Sequence, residues 1–115
     1  MKGSEVLRKA QRVLADPAKW TKGAMSRVGG AAYGAVVAHG ADCFCANGAL
    51  SSLFPDDMMP LRESGASLWL SAAAKQMGFD NVTALNDHPR TTHADVMVLY
   101  YRARRLAKAD ERRKR

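Results

Sequence analysis

Cys43 and Cys45 sit two residues apart in "ADCFCANGAL", at the head of a stretch that reads as a helix. Cys45 is the candidate nucleophile, because a thiol near a helix N-terminus is biased toward thiolate by the exposed amides and the helix dipole. His93 should open the last helix, where positive charge is disfavoured, so its imidazole would be neutral and able to accept a proton. Asn86 or Asp87 would orient that ring, completing a set such as a small cysteine-dependent hydrolase or transferase uses. The pattern has little specificity, because any chain with these residue types offers such a combination. No oxyanion motif accompanies it.

The same side chains suggest a second chemistry. Cys43, Cys45, His39 and His93 contain the donors of a tetrahedral two-cysteine, two-histidine metal site. Structural zinc sites separate paired cysteines by roughly two to four residues, and the spacing here is shorter. On one helix, residues two apart point to nearly opposite sides, so both thiols face one way only if Cys43 precedes the helix in extended chain. A disulfide between them would be strained. The simpler expectation is no metal and no cofactor. Cys45, Gly48 and Ala49 are then small residues that let a helix approach its neighbour, with Trp20 or Trp69 filling the adjacent volume.

Charge supplies the third candidate. The chain of 115 residues carries a formal charge of +7, unevenly placed. Arg102, Arg104, Arg105, Lys108, Arg112, Arg113, Lys114 and Arg115 face only Asp110 and Glu111, and the rest of the chain is nearly neutral. Arginines and lysines clustered on one helix are the usual electrostatic footprint for phosphate backbones. Arg102, Arg104, Arg105, Lys108, Arg112 and Arg113 are therefore the candidate partner-binding residues. Their partner is a nucleic-acid backbone or an acidic protein surface; a merely solvated face is the alternative. There is no zinc-finger spacing, RNP-type aromatic motif or glycine-rich phosphate loop, so contact would be salt-sensitive and weakly specific.

These side chains need elements to position them. "SEVLRKAQRVLAD" has apolar residues at helical spacing, with Ser4 as a natural N-cap. Asp16-Pro17 restarts the chain in a short turn that delivers Trp20 to the core. Residues 21–40 lose the helical period, and Gly29-Gly30 fits a turn between two short extended pieces. "ADCFCANGALSSLF" reads as the second helix, with Asp42 near its start. "DDMMPLRE" reads as a connection. "SGASLWLSAAAKQMGFD" reads as the third helix, with Leu68, Trp69, Ala72, Ala73 and Gln76 along one side and Gly78 as its stop. "NVTALNDHPR" reads as a linker with Val82 and Leu85 turned inward. Thr92 and Asp95 resemble a capping box for the last helix, whose apolar stripe ends at Ala107.

Three stretches, "WTKGA", "CFCANGAL" and "NDHPRTTHADV", together resemble an uncharacterised family of small bacterial and phage proteins. Its members share a Trp-x-x-Gly-Ala element, a cysteine shortly before Gly-Ala-Leu, and Asn-Asp ahead of a threonine that opens the final helix. The resemblance implies an organisation and a bacterial or phage setting, with no established activity. One departure is Pro89-Arg90-Thr91-Thr92, where the family commonly has Pro-Gly-Arg-Thr.

The expected fold is mainly α: a compact bundle of about four helices with a Gly/Ala-rich loop or short β-hairpin inserted. Residues 1–107 form a single helical domain and residues 108–115 a basic tail that frays into solvent. At this length folding buries roughly two thirds of the chain's surface, enough for one core. No segment approaches the ~20 apolar residues of a membrane span, and "MKGSEVLRKAQ" lacks a signal peptide's apolar run. A cytoplasmic setting with reduced thiols is expected. The expected role is that of a non-enzymatic accessory or regulatory protein, phage or prophage encoded, that binds a macromolecule.

Overall fold

Helix α1 (Gly3–Val13) forms on the expected stripe, burying Val6, Leu7 and Ala10, with Leu14 just beyond its end. The structure, a computed structural model, describes residues 1–34 and 37–114. Lys2, and not Ser4, occupies the N-cap position of α1. Ser4 is in the first turn instead, where its amide and hydroxyl donate to the Glu111 carboxylate near the other end of the chain. Gly3 permits this placement, since a Cβ there would lie 2.6 Å from the Ser64 carbonyl oxygen. Asp16 then caps a 3-10 turn at Pro17–Lys19, accepting from the Ala18 amide at 3.0 Å, and Trp20 packs against the core.

The glycine-rich stretch forms a hairpin of β1 (Ser26–Val28) and β2 (Ala31–Tyr33), paired antiparallel. Gly29 and Gly30 both have positive φ, the requirement of a two-residue turn whose twist suits a hairpin. Ala35 and Val36, in the same Gly/Ala-rich segment, lie outside the described residues.

A third strand, β3 (Cys43–Phe44), pairs antiparallel with β1, giving the order β2-β1-β3. The second helix therefore does not begin near Asp42. Helix α2 (Ala46–Ser52) starts after Cys45, and the Asp42 carboxylate accepts from the Gly29 amide in the hairpin turn. At the start of α2 a Cβ on Gly48 would stand 2.1 Å from the Met25 carbonyl oxygen. No other residue lets α2 lie this close to the backbone entering β1.

Two more short helices come from stretches that read as connections. Helix α3 (Met59–Ser64) takes Pro60 in its first turn and ends at Gly65, in the left-handed region. Helix α5 (Val82–Asp87) is capped by Asn81, which accepts from the Ala84 amide at 2.7 Å. Between them, α4 (Ala66–Gln76) buries Ala66, Leu70, Ala73 and Ala74. Leu68 does not join that stripe: it is 74% exposed, since it sits two residues from Leu70 and faces the other way.

Helix α6 (His93–Arg113) opens on a full capping box between Thr92 and Asp95 and buries Val96, Leu99, Tyr100, Ala103 and Ala107. It runs on to Arg113, so the expected fraying after Ala107 is not what the structure shows. Alanine, arginine, lysine and glutamate are good helix formers, and Asp110 pairs with Arg113 and Lys114 on the next turn. The architecture is mainly α with a small antiparallel sheet inserted, and α1, α4 and α6 pack on one another around the core. Among the described residues no helix is long and apolar enough to cross a membrane.

Candidate functional site

The Cys45 thiol caps α2, accepting from the Gly48 amide at 3.2 Å, and lies 3.7 Å from the Met25 sulfur. Burial pushes its pKa up, and the amides of Gly48 and Asn47 only partly offset this. The helix-terminus argument for a thiolate thus has the right geometry and the wrong winner: desolvation prevails. Cys43 is likewise raised, by burial and by neighbouring Asp42.

His93 has other partners. Its Nε2 meets the Leu14 carbonyl oxygen, so that nitrogen carries the proton and donates. The ring tilts against Trp20 with centroids 6.2 Å apart. Among the described residues no hydrogen bond joins His93 to Cys45.

Asn86 is fully engaged within the protein. Its Oδ1 accepts from the Trp20 indole at 2.7 Å and from the Ala46 amide at 3.0 Å. Its Nδ2 donates to the Thr21 carbonyl at 3.0 Å and to Asp87 Oδ1 at 2.9 Å. A side-chain amide has two donor hydrogens and two acceptor lone pairs, so none remains to orient an imidazole. Asp87 Oδ1 also accepts from the Gly23 amide at 2.9 Å. The set Cys45, His93, Asn86 and Asp87 is therefore distributed over separate contacts; Cys45, Asn86 and Asp87 share a small cavity of about 130 Å³ that His93 does not line.

The metal set is also dispersed. Cys43 is in β3, Cys45 caps α2, and His93 opens α6. His39 borders a larger cavity of about 550 Å³, walled by Met25, Phe44, Phe54 and Met58. Among the described residues no group of three or more His, Cys, Asp or Glu side chains is placed to hold a metal ion.

The basic residues make a coherent surface. Helices α1 and α6 run antiparallel: Ser4 meets Glu111, Gln11 accepts from Arg104 at 2.8 Å, and Leu14 meets His93. Along this seam lie two shallow depressions. One, of about 340 Å³, is bordered by Arg8, Arg12 and Arg104; the other, of about 310 Å³, by Lys2, Lys108 and Arg112. Glu111 also borders the second, with its carboxylate taken by Ser4. Arg102 and Arg105 are exposed further round α6, Arg105 beside Tyr101. Arg113 pairs with Asp110 at 3.0 Å. Among the described residues the ion pairs are those of Asp110 with Arg113 and Lys114, so none of the cations bordering the seam is held in a direct ion pair, and Glu111 is the one carboxylate that borders the two depressions.

The model of a family described as "Family of unknown function (DUF6197)" matches residues 1–106. The chain belongs to this family. No curated protein and no solved structure matches it. The DUF6197 match spans the core, the sheet and α6 as far as Leu106, so Arg102, Arg104 and Arg105 fall inside it and Lys108, Arg112 and Arg113 beyond it.

Reading the basic character as a property of one end of the chain missed the residues of α1. Lys2, Arg8 and Arg12 supply the second wall of the seam. The signal was present: Arg8 and Arg12 are four apart, on one helical face, opposite to the buried stripe's needs. What was missing was the antiparallel placement of α1 against α6.

Proposed function

We propose that the protein is a non-enzymatic accessory factor that binds the phosphate backbone of nucleic acid across the α1–α6 seam. The observation that carries this reading is the row of cations drawn from both helices, none of them in an ion pair among the described residues: Lys2, Arg8, Arg12, Arg104, Lys108 and Arg112, against the single carboxylate of Glu111. Arg104, Lys108 and Arg112 recur every four residues, so their side chains leave α6 in file at intervals of about 6 Å. A file of that kind suits a polymer carrying regularly spaced charge better than a single small anion. Arg104 adds a further support, because its buried Nε has no hydrogen-bond partner among the described residues. A phosphate oxygen supplies the acceptor that this donor lacks once the guanidinium turns to meet it.

Such binding draws its free energy from release of counterions and carries little sequence information. The test is anisotropy titration of labelled DNA and RNA over a range of salt concentrations. Affinity should fall steeply with salt, and Arg8→Gln/Arg12→Gln should flatten that slope as Lys108→Gln/Arg112→Gln does. Binding indifferent to salt, or unchanged in both double variants, overturns the reading. If an acidic polypeptide such as polyglutamate binds tighter than either nucleic acid, the partner is an acidic protein and the phosphate assignment is wrong.

A further inference from the structure

We infer that the strand bound on this face is single, and that Tyr101 stacks against one of its unpaired bases. This rests on the phosphate-binding reading above and narrows its ligand. Tyr101 is 53% exposed on α6, just ahead of the basic residues that begin at Arg102. A helix places Arg105 one turn ahead of it and Lys108 two turns ahead, on the same face. Val98, 43% exposed, stands one turn behind.

The ring is also held. Arg105 Nη1 donates to the Tyr101 hydroxyl at 3.2 Å, and the guanidinium lies 5.9 Å from the ring centroid. An aromatic plane fixed in this way loses little freedom when something stacks on it. A water-facing tyrosine inside a polyanion-binding face gains little from a duplex, whose bases already stack on one another. It gains much from a single strand, whose phosphates follow Arg104, Lys108 and Arg112 while a splayed base covers the ring. Arg102 and Arg105, exposed on the far side of Tyr101 from that file, flank the same base.

The test compares a labelled oligothymidylate with a hairpin duplex of equal charge. The parent protein should hold the single strand about tenfold tighter than the duplex. Tyr101→Leu should lose that about tenfold advantage while the salt slope stays unchanged. Tyr101→Phe, which keeps the ring and drops the Arg105 hydrogen bond, should retain most of it. Lys108→Gln should instead lower the slope on both polymers. Equal affinity for both polymers, or Tyr101→Leu binding the oligomer like the parent, overturns this inference and leaves the phosphate reading standing. Absence of salt-sensitive binding to either polymer overturns both.

Discussion

The indole of Trp20 donates to the side-chain oxygen of Asn86 at 2.7 Å, across 66 positions of sequence. Asn86 is 1% exposed, and through its other bonds it also holds the start of α2 and the chain at Thr21. Three segments that share no local structure are thus fastened by one amide. Asn86→Leu leaves the Trp20 indole, the Ala46 amide and the Thr21 carbonyl without their partner and should destabilise the protein by about 3 kcal/mol in urea unfolding. Trp20→Phe, which removes one of those bonds and some buried area, should cost less. The two effects should fall short of additive in a double-mutant cycle.

Gly48→Ala brings a methyl into the Met25 carbonyl, a backbone atom with no freedom to move aside. A loss of about 3 kcal/mol is expected, with thermal unfolding as the readout. Gly34→Ala is the control: among the described residues nothing lies within 4 Å of its added Cβ and its φ is not positive, so stability should hold or rise slightly. Equal behaviour of the two variants would contradict the close approach of α2 to β1.

The thiols should be sluggish. Because burial raises Cys45 and Cys43, the thiolate fraction near neutrality is smaller than in a free cysteine. Iodoacetamide labelling of the native protein should lag behind labelling of the urea-unfolded chain at every pH below about 9. Rapid modification of Cys45 at pH 7 would reopen nucleophilic chemistry at α2.

Alkali should unfold the protein through the same linkage. Tyr100 is buried, donates its hydroxyl to the Ala46 carbonyl, and is raised well above its ordinary value by desolvation. The unfolded chain therefore releases this proton, and those of the cysteines, at lower pH than the folded one. Stability is fully present below the unfolded values and declines as pH climbs from about 9. Tyr100→Phe should lower stability near neutrality by about 1 kcal/mol, through loss of the hydrogen bond, and flatten the decline above pH 10. An unaltered alkaline limb in that variant would remove Tyr100 from the account.

Glu111→Ala separates stability from binding. It frees the amide and hydroxyl of Ser4 at the first turn of α1 and should cost about 1 kcal/mol. Nucleic-acid affinity should be kept or increased, because an acid beside Lys108 and Arg112 is gone. Weaker binding at full occupancy of the fold would argue against the seam as the phosphate site.

What the sequence disclosed depended on the range of the forces involved. Local signals were legible: the stripe of α1, the Asp16-Pro17 turn, the hairpin glycines and the Thr92–Asp95 box each lie within a few residues of their cause. The start of α2 was misplaced because Cys43 and Phe44 satisfy their backbone by pairing with Arg27 and Ser26, a choice made across the sheet. Helix α5 was missed for a related reason. Asn86 and Asp87 resemble turn-formers, and only partners from Trp20 to Ala46 turn that polar pair into an interior clasp. The C-terminal helix was cut short because its apolar stripe ends before its hydrogen bonds do. Its last turns are kept by Asp110 and by Ser4, through polar contacts that leave no mark on an apolar stripe.

The Ser4–Glu111 contact brings the first turn of α1 next to the last turns of α6. A few flexible residues could therefore join them, and new ends could be opened at the Gly29-Gly30 turn without cutting a helix. The same proximity means that a segment fused just ahead of α1 lies close to Lys2, Lys108 and Arg112. If the seam takes phosphate as proposed, an acidic tag there would act as a tethered competitor of the nucleic acid, and a neutral one would leave the surface open.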